Sequence, residues 1–201
     1  QHGINEFIIC CGYKGYVIKE YFSNYFLHKS DVTFHMIENK VEVHDDRVEP
    51  WKVTLVDTGD TAMTGGRLLN VSDYVKDEES FCFTYGDGVS DIDISASIKF
   101  HQEHGKLATV ASVSPPGRFG SLDIFGSKVK GFVEKPNGDG GKINGGFFVL
   151  SPEVLKELTG NESVWEQEPL QSLAARGQLM AYEHDGFWQP MDTLRDQKYL
   201  Q

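Results

Sequence analysis

The run Phe81-Cys82-Phe83-Thr84-Tyr85 is short and almost wholly apolar, and it stops at Gly86-Asp87-Gly88. An apolar run of this length predicts a central strand of a parallel sheet with both faces covered. A carboxylate set between two glycines then lies beyond the strand's carboxyl end, where open α/β sheets bind their ligands. Few folds accommodate such a strand, and those that do alternate strands with helices.

The rest of the first half follows that alternation. Glu6 to Cys11 predicts a buried strand. Lys14 to Phe26 carries Val17, Ile18, Tyr21, Phe22, Tyr25 and Phe26 at helical spacing. Asp31 to Glu38 alternates with Val32, Phe34 and Met36 on one face, and Lys52 to Asp57 reads as a further strand. Arg67 to Val75 predicts a helix. Asp91 or Asp93 can cap another that reaches His104, with Ile94 and Ile98 facing inward. The order β-α-β-β-α-β-α is that of a doubly wound sheet.

The second half changes character. Ala108 to Val113, Ser121 to Ile124, Val129 to Glu134 and Lys142 to Leu150 read as closely spaced strands with Gly and Pro between them, which predicts antiparallel excursions. Ser151-Pro152 opens a short helix, and Glu168 to Arg176 predicts another. Met180 to His184 is a last strand, and Thr193 to Leu200 begins a final helix. The expected fold class is therefore α/β, a doubly wound, mostly parallel sheet with a small antiparallel β excursion, in a single domain over residues 1–201. No first strand with a glycine-rich phosphate loop precedes Glu6, and the chain stops inside a helix. An amino-terminally truncated domain is expected.

The net charge of −11, from 30 acidic and 19 basic residues, repels polyanions and argues against a nucleic-acid partner. No apolar run approaches the ~20 residues of a membrane span. Cys10, Cys11 and Cys82 lack metal-binding spacing and read as buried free thiols, which implies a reducing, cytoplasmic setting.

Several residues carry chemistry, each with a plainer alternative. Asp87 suits a hard divalent cation held against phosphate oxygens, or simply caps its own turn. Asp192, in Trp188-Gln189-Pro190-Met191-Asp192-Thr193, either shares that cation or opens the helix after it. Thr64-Gly65-Gly66-Arg67 offers backbone amides and a guanidinium to an anion, or is a Gly turn with a surface Arg. Glu134-Lys135-Pro136 ends a strand, where Lys135 can grip a sugar phosphate and Glu134 can accept from hydroxyls; a solvated charge pair is the alternative. Asn144-Gly145-Gly146 interrupts a strand and allows close backbone contact with a ligand. His101 and His104, three apart on a helix, read as exposed helix histidines rather than metal ligands.

Taken in order, Gly86-Asp87, Glu134-Lys135-Pro136, Asn144-Gly145-Gly146 and Trp188 to Thr193 resemble the nucleoside-diphosphate-sugar pyrophosphorylases, a family of sugar-phosphate nucleotidyltransferases. Val56 to Gly59, Met63 to Leu68, Pro115 to Gly120, Ile143 to Leu150 and Trp165 to Leu170 resemble its cytidylyl-transferring branch in particular. The resemblance implies a Rossmann-like nucleotidyltransferase fold, Mg2+ on Asp87 and Asp192, and CTP and glucose 1-phosphate as substrates. It implies nucleotide contacts from Thr64, Gly65, Gly66, Arg67 and Gly86, and sugar-phosphate contacts from Glu134, Lys135, Asn144 and Gly145. It places Asp87, Asp192, Lys135 and Arg67 in the catalytic role. It also implies a homo-oligomer that makes CDP-glucose for deoxysugar and O-antigen precursors. The family's Gly-rich loop, with its Gly-Thr-Arg, has no counterpart here.

Three other readings stay open at this point. The nucleotide can be another NTP, as in UDP- or dTDP-glucose pyrophosphorylases. Asp91-Ile92-Asp93 has the Asp-x-Asp form of many nucleotide-sugar glycosyltransferases, or is the cap and first turn of a helix. Without the phosphate loop, the chain can also be a binding module alone.

Overall fold

The computed structural model describes residues 2–44, 48–115, 121–125, 127–133 and 141–201. They divide into two compact units. One comprises Gly3–Lys76 and Leu155–Pro169, the other Asp77–Val154 and Leu170–Gln201 together with His2.

In the first unit, β1 (Glu6–Cys11) pairs in parallel with β4 (Lys52–Asp57), from Glu6↔Lys52 to Cys11↔Asp57. The connection carries α1 (Gly15–Ser23), α2 (Tyr25–Lys29) and a hairpin of β2 (Asp31–His35) with β3 (Lys40–His44). The single helix expected over residues 14–26 is thus two. Asn24 ends the first, its Nδ2 donating to the Glu20 carbonyl at 2.9 Å. Met36 lies beyond β2 and is 84% exposed, because the hairpin turns there. After β4 comes α3 (Thr64–Asn70), then a 3-10 turn at Ser72–Tyr74. Trp165 is fully buried in this unit.

The second unit is built on a four-stranded sheet in the order β11-β7-β10-β5. Its strands are β5 (Phe81–Thr84), β7 (Ala108–Val113), β10 (Ile143–Leu150) and β11 (Leu179–His184). β11 runs parallel to β7, while β10 is antiparallel to both its neighbours. β7 is the buried centre: Ala108, Thr109, Ala111 and Val113 are all at most 2% exposed. Burying a Val or Leu side chain there contributes about 2 kcal/mol. α4 (Ile94–His104) packs on this sheet, and Asp93 caps it by accepting from Ala96 N at 3.0 Å. Two small antiparallel pairs complete the unit, β8 (Ser121–Phe125) with β9 (Lys128–Val133), and β6 (Gly88–Ser90) with β12 (Trp188–Pro190). A 3-10 turn at Pro152–Glu157, α5 (Glu168–Ala175) and α6 (Leu194–Leu200) fill the remaining helical positions.

Three expectations need correction. Phe81–Thr84 is an edge strand among the described residues, antiparallel to its one partner, and its side chains alternate between half-buried and exposed. Cys82 is consequently exposed and only Cys11 is fully buried, so the thiols are not uniformly internal. His101 is buried at 4% exposure rather than solvent-facing. Thr109 lies between it and His104: Thr109 Oγ1 is 2.9 Å from His101 Nδ1 and 2.7 Å from His104 Nε2. Lys106 N donates to His104 Nδ1 at 2.8 Å, which puts the ring proton of neutral His104 on Nε2. The bonds then run one way, from His104 Nε2–H to Thr109, from the Thr109 hydroxyl to His101 Nδ1, and from His101 Nε2–H to Ser151 Oγ at 3.2 Å.

Candidate active site

The second unit brings Asp87 and Asp192 to one cleft through the shortest of its strand pairs. β6 and β12 match Gly88↔Pro190, Val89↔Gln189 and Ser90↔Trp188. The ladder runs one step further, with Met191 N donating to the Asp87 carbonyl at 2.8 Å. Asp87 therefore stands at the entry of one strand and Asp192 just past the exit of the other. Both line a cleft of about 170 Å3 together with Tyr85, Gly88, Asn144, Gly145, Gly146, Trp188 and Pro190.

Neither carboxylate is explained by local capping. Thr193 is the N-cap of α6: its hydroxyl accepts from Asp196 N at 3.2 Å, and Asp196 Oδ2 accepts from Thr193 N at 3.0 Å. That reciprocal box satisfies the helix start without Asp192. Among the described residues, no donor from its own turn reaches the Asp87 side chain. Two hard oxygen donors on one cleft suit Mg2+, which binds through one or two carboxylates and completes its shell with phosphate oxygens and water. The donor set therefore fits the cation.

The floor of the cleft is a kink in β10. Its pairing with β7 shifts register between Asn144 and Phe148. Gly146 has φ +75°, a conformation L side chains rarely adopt, and a Cβ there would meet the Tyr85 ring at 2.7 Å. A Cβ on Gly145 would sit 2.7 Å from Val113 Cγ1 and 3.0 Å from the Ala111 carbonyl. Asn144 Oδ1 accepts from Gly146 N at 2.8 Å, so its Nδ2 group is the part that can donate to a ligand. Gly86 meets nothing within 4 Å of a built Cβ, so packing does not require glycine there.

Asp91-Ile92-Asp93 lies beyond the far end of β6. Asp93 caps α4, Asp91 pairs with His184 Nε2 at 3.0 Å, and Ile92 is 3% exposed. Both carboxylates have structural partners, which removes the Asp-x-Asp reading.

Of the residues expected at the nucleotide, Gly86 belongs to the second unit and Thr64, Gly65, Gly66 and Arg67 to the first. α3 begins at Thr64, three residues before the expected start at Arg67, and the turn is packed rather than open. Gly66 N donates to the Ser163 carbonyl at 3.1 Å, and a Cβ on Gly66 would meet Asn161 O at 2.3 Å. The Thr64 hydroxyl donates to Glu166 Oε2 at 2.7 Å and accepts from Trp165 N at 2.9 Å. The expectation of open amides at this helix start is therefore corrected at Gly66, whose amide is taken. Arg67 Nη1 donates to buried Thr58 Oγ1 at 2.8 Å, and Thr58 passes its own proton to the Cys11 carbonyl at 2.9 Å. One of the five guanidinium donors of Arg67 is thus used. Burial pushes the neighbouring Cys10 thiol up, and the Arg67 charge partly offsets that rise. Glu134, Lys135 and the Pro116–Gly120 part of the proline-glycine segment lie outside the described residues.

Tyr85, Trp188 and Pro190 are cleft residues that pattern reading did not single out as ligands. A three-residue strand such as β12 leaves too short a trace for periodicity to register. The WxxxD spacing was the one available signal for Trp188.

A family model described as nucleotidyl transferase matches residues 1–193. The chain belongs to the nucleotidyl transferase family. Among its relatives, the glucose-1-phosphate cytidylyltransferase of Salmonella typhimurium is 68% identical over 200 residues, covering 100% of this chain and 78% of the relative. The enzyme of the same name from Salmonella typhi matches equally. The crystal structure of HddC from Yersinia pseudotuberculosis superposes with a TM-score of 0.68 over 98% of this chain and 78% of that one, at 20% identity. That likeness extends to the fold, so this nucleotidyl transferase has the Rossmann-like α/β architecture of the family, with parallel pairs β1–β4 and β7–β11 beside antiparallel additions. Among the described residues, no helix is long and apolar enough to cross a membrane.

Proposed function

We propose that this nucleotidyl transferase moves a cytidylyl group from CTP to α-D-glucose 1-phosphate, forming CDP-glucose and pyrophosphate. The observation that carries the reading is the 68% identity, over the whole chain, to an enzyme named for that reaction. The paired carboxylates of Asp87 and Asp192 support it.

A phosphate oxygen of glucose 1-phosphate attacks the α-phosphorus of CTP. The new P–O bond forms as the bond to the β-phosphate bridging oxygen breaks, and pyrophosphate leaves with that electron pair. The nucleophile is already an anion, so no side chain has to remove a proton. The work of the protein is positioning and charge neutralisation. Asp87 and Asp192 hold Mg2+, which when bound supplies positive charge to the phosphate oxygens. Asn144 and the Gly145 backbone, with Glu134 and Lys135, hold the sugar phosphate. Arg67 contacts the nucleotide. In this reading residues 1–201 act as one catalytic domain of a cytoplasmic homo-oligomer, and the product feeds deoxysugar and O-antigen synthesis.

The test is pyrophosphate release with each of the four nucleoside triphosphates and glucose 1-phosphate. CTP is expected to be preferred. Turnover with UTP, dTTP or GTP but not CTP would replace the base assignment. The Arg67→Lys variant is expected to raise KM for CTP more than KM for glucose 1-phosphate, because a point charge cannot reproduce the forked donor.

A further inference from the structure

The Trp188 indole spans the gap between two strands that do not pair with each other. Its Nε1 donates to the Gly145 carbonyl at 2.7 Å. Gly145 sits inside the register shift of β10, where the ladder to β7 is interrupted between Asn144 and Phe148. A buried carbonyl at such a break needs another donor. On the other side, Val113 and the Ala111 carbonyl press against Gly145 so closely that no Cβ fits. The kink is thus clamped between β7 and one side-chain N–H. Trp188 is itself fixed at both ends, by its pairing with Ser90 and by packing against the cluster of Ile92, Ala111 and Val113. Four residues further along the same chain is Asp192, and one residue before Gly145 is Asn144, both lining the cleft.

We propose that Trp188 is a positioning residue: its indole N–H sets the strand carrying Asp192 against the glycine kink carrying Asn144, so that the cation carboxylates and the floor of the cleft keep one geometry. The ring alone would fill the core; the donor is what aligns the two strands. The consequence for turnover rests on the proposed reaction, whereas the consequence for cation binding does not.

The experiment compares the wild type with Trp188→Phe and with a protein carrying 3-(benzothiophen-3-yl)alanine at position 188, which keeps the bicyclic shape and lacks the donor. Mn2+ alone is the probe, titrated by paramagnetic resonance, beside thermal unfolding and steady-state kinetics. Leu173→Ala, which opens a cavity at a buried site on α5, is the control for destabilisation alone. Both variants at 188 are expected to bind Mn2+ about tenfold more weakly, the scale of one lost hydrogen bond. They should lose a similar factor in kcat while KM for CTP holds, and Leu173→Ala should keep wild-type Mn2+ affinity. If Trp188→Phe does not fold, the isosteric residue decides. Wild-type Mn2+ affinity in the isostere, whatever its unfolding midpoint, overturns the positioning role, as does a wild type that binds no Mn2+. A wild type that binds Mn2+ but makes no CDP-glucose overturns the reaction and leaves the positioning role to the Mn2+ result.

Discussion

The backbone N–H of Met191 donates to the carbonyl of Asp87 at 2.8 Å, and this bond lies one step past the last strand pair of β6 and β12. Asp87 and the residue preceding Asp192 are therefore opposite one another on a continuous ladder. The two carboxylates come from segments about a hundred residues apart in sequence, yet their backbones cannot slide independently. Asp87→Ala is expected to lower kcat at least ~100-fold, since the charge stabilisation lost with a cation is several kcal/mol. Asp87→Asn should be nearly as impaired, because an amide is a poor ligand for a hard cation. Steady-state pyrophosphate release measures both, and unfolding midpoints near wild type would show that the exposed side chain is not structural.

Cation binding should also be visible without substrate. A ligand that binds only the folded state adds about 2.7 kcal/mol at a hundred times its Kd. The wild-type unfolding midpoint is expected to rise with Mg2+. Asp87→Ala and Asp192→Ala should lose that rise, and scanning calorimetry with and without Mg2+ reads it directly.

The kink of β10 admits no side chain. Gly146→Ala must place a Cβ at φ +75° and against the Tyr85 ring at 2.7 Å. We expect a loss of about 1–3 kcal/mol in unfolding free energy, measured by urea denaturation. Because Tyr85 lines the cleft, KM for glucose 1-phosphate should rise as well.

Acid should weaken the second unit through the histidines under the sheet. Burial holds His101 below the ordinary histidine range and is also the largest cause of the lowering at His104; a neighbouring positive charge adds at each, from His104 on His101 and from Lys106 on His104. Ring contacts to His104 come from Phe100 and His101, and the charges on the same helix are Lys99 and Glu103, which pair with each other. Folded rings with lowered pKa bind fewer protons than unfolded ones, so stability is complete above about pH 6.5 and falls as pH drops below it towards the folded values. Thr109→Val removes the hydroxyl that both rings share and is expected to cost about 1–3 kcal/mol at neutral pH. Urea unfolding at several pH values tests both statements.

Much of this was legible in the chain. Alternating apolar runs and turn residues located most strands to within a residue or two, and the cap of α4 was narrowed to Asp91 or Asp93, of which the structure uses Asp93. The candidate cleft was legible at a strand end, where Asp87 was singled out and lines it. Partnership was harder to read. The run Phe81–Thr84 looks like a doubly covered strand because its residues are apolar, but apolarity does not say which edge is paired. β6 and β12 are three residues each, below the length at which a period exists. Thr64-Gly65-Gly66 looks like an anion turn because glycines signal close approach; what approaches is the carbonyl of Asn161, supplied from almost a hundred residues later.

The bonds from Lys106 N through His104, Thr109 and His101 to Ser151 all point the same way, because one backbone amide fixes the first acceptor. Such a series has a polarity that no member can reverse alone. Substitutions at two of its links should therefore not add: once one link is gone, the orientation of the next is no longer enforced, and the second change removes less than it would from the intact protein. A double-mutant cycle between Thr109 and Ser151, which share no bond, is expected to return a coupling of about 0.5 kcal/mol or more. The fold of this unit is thus specified partly by the direction of its hydrogen bonds, and not only by their number.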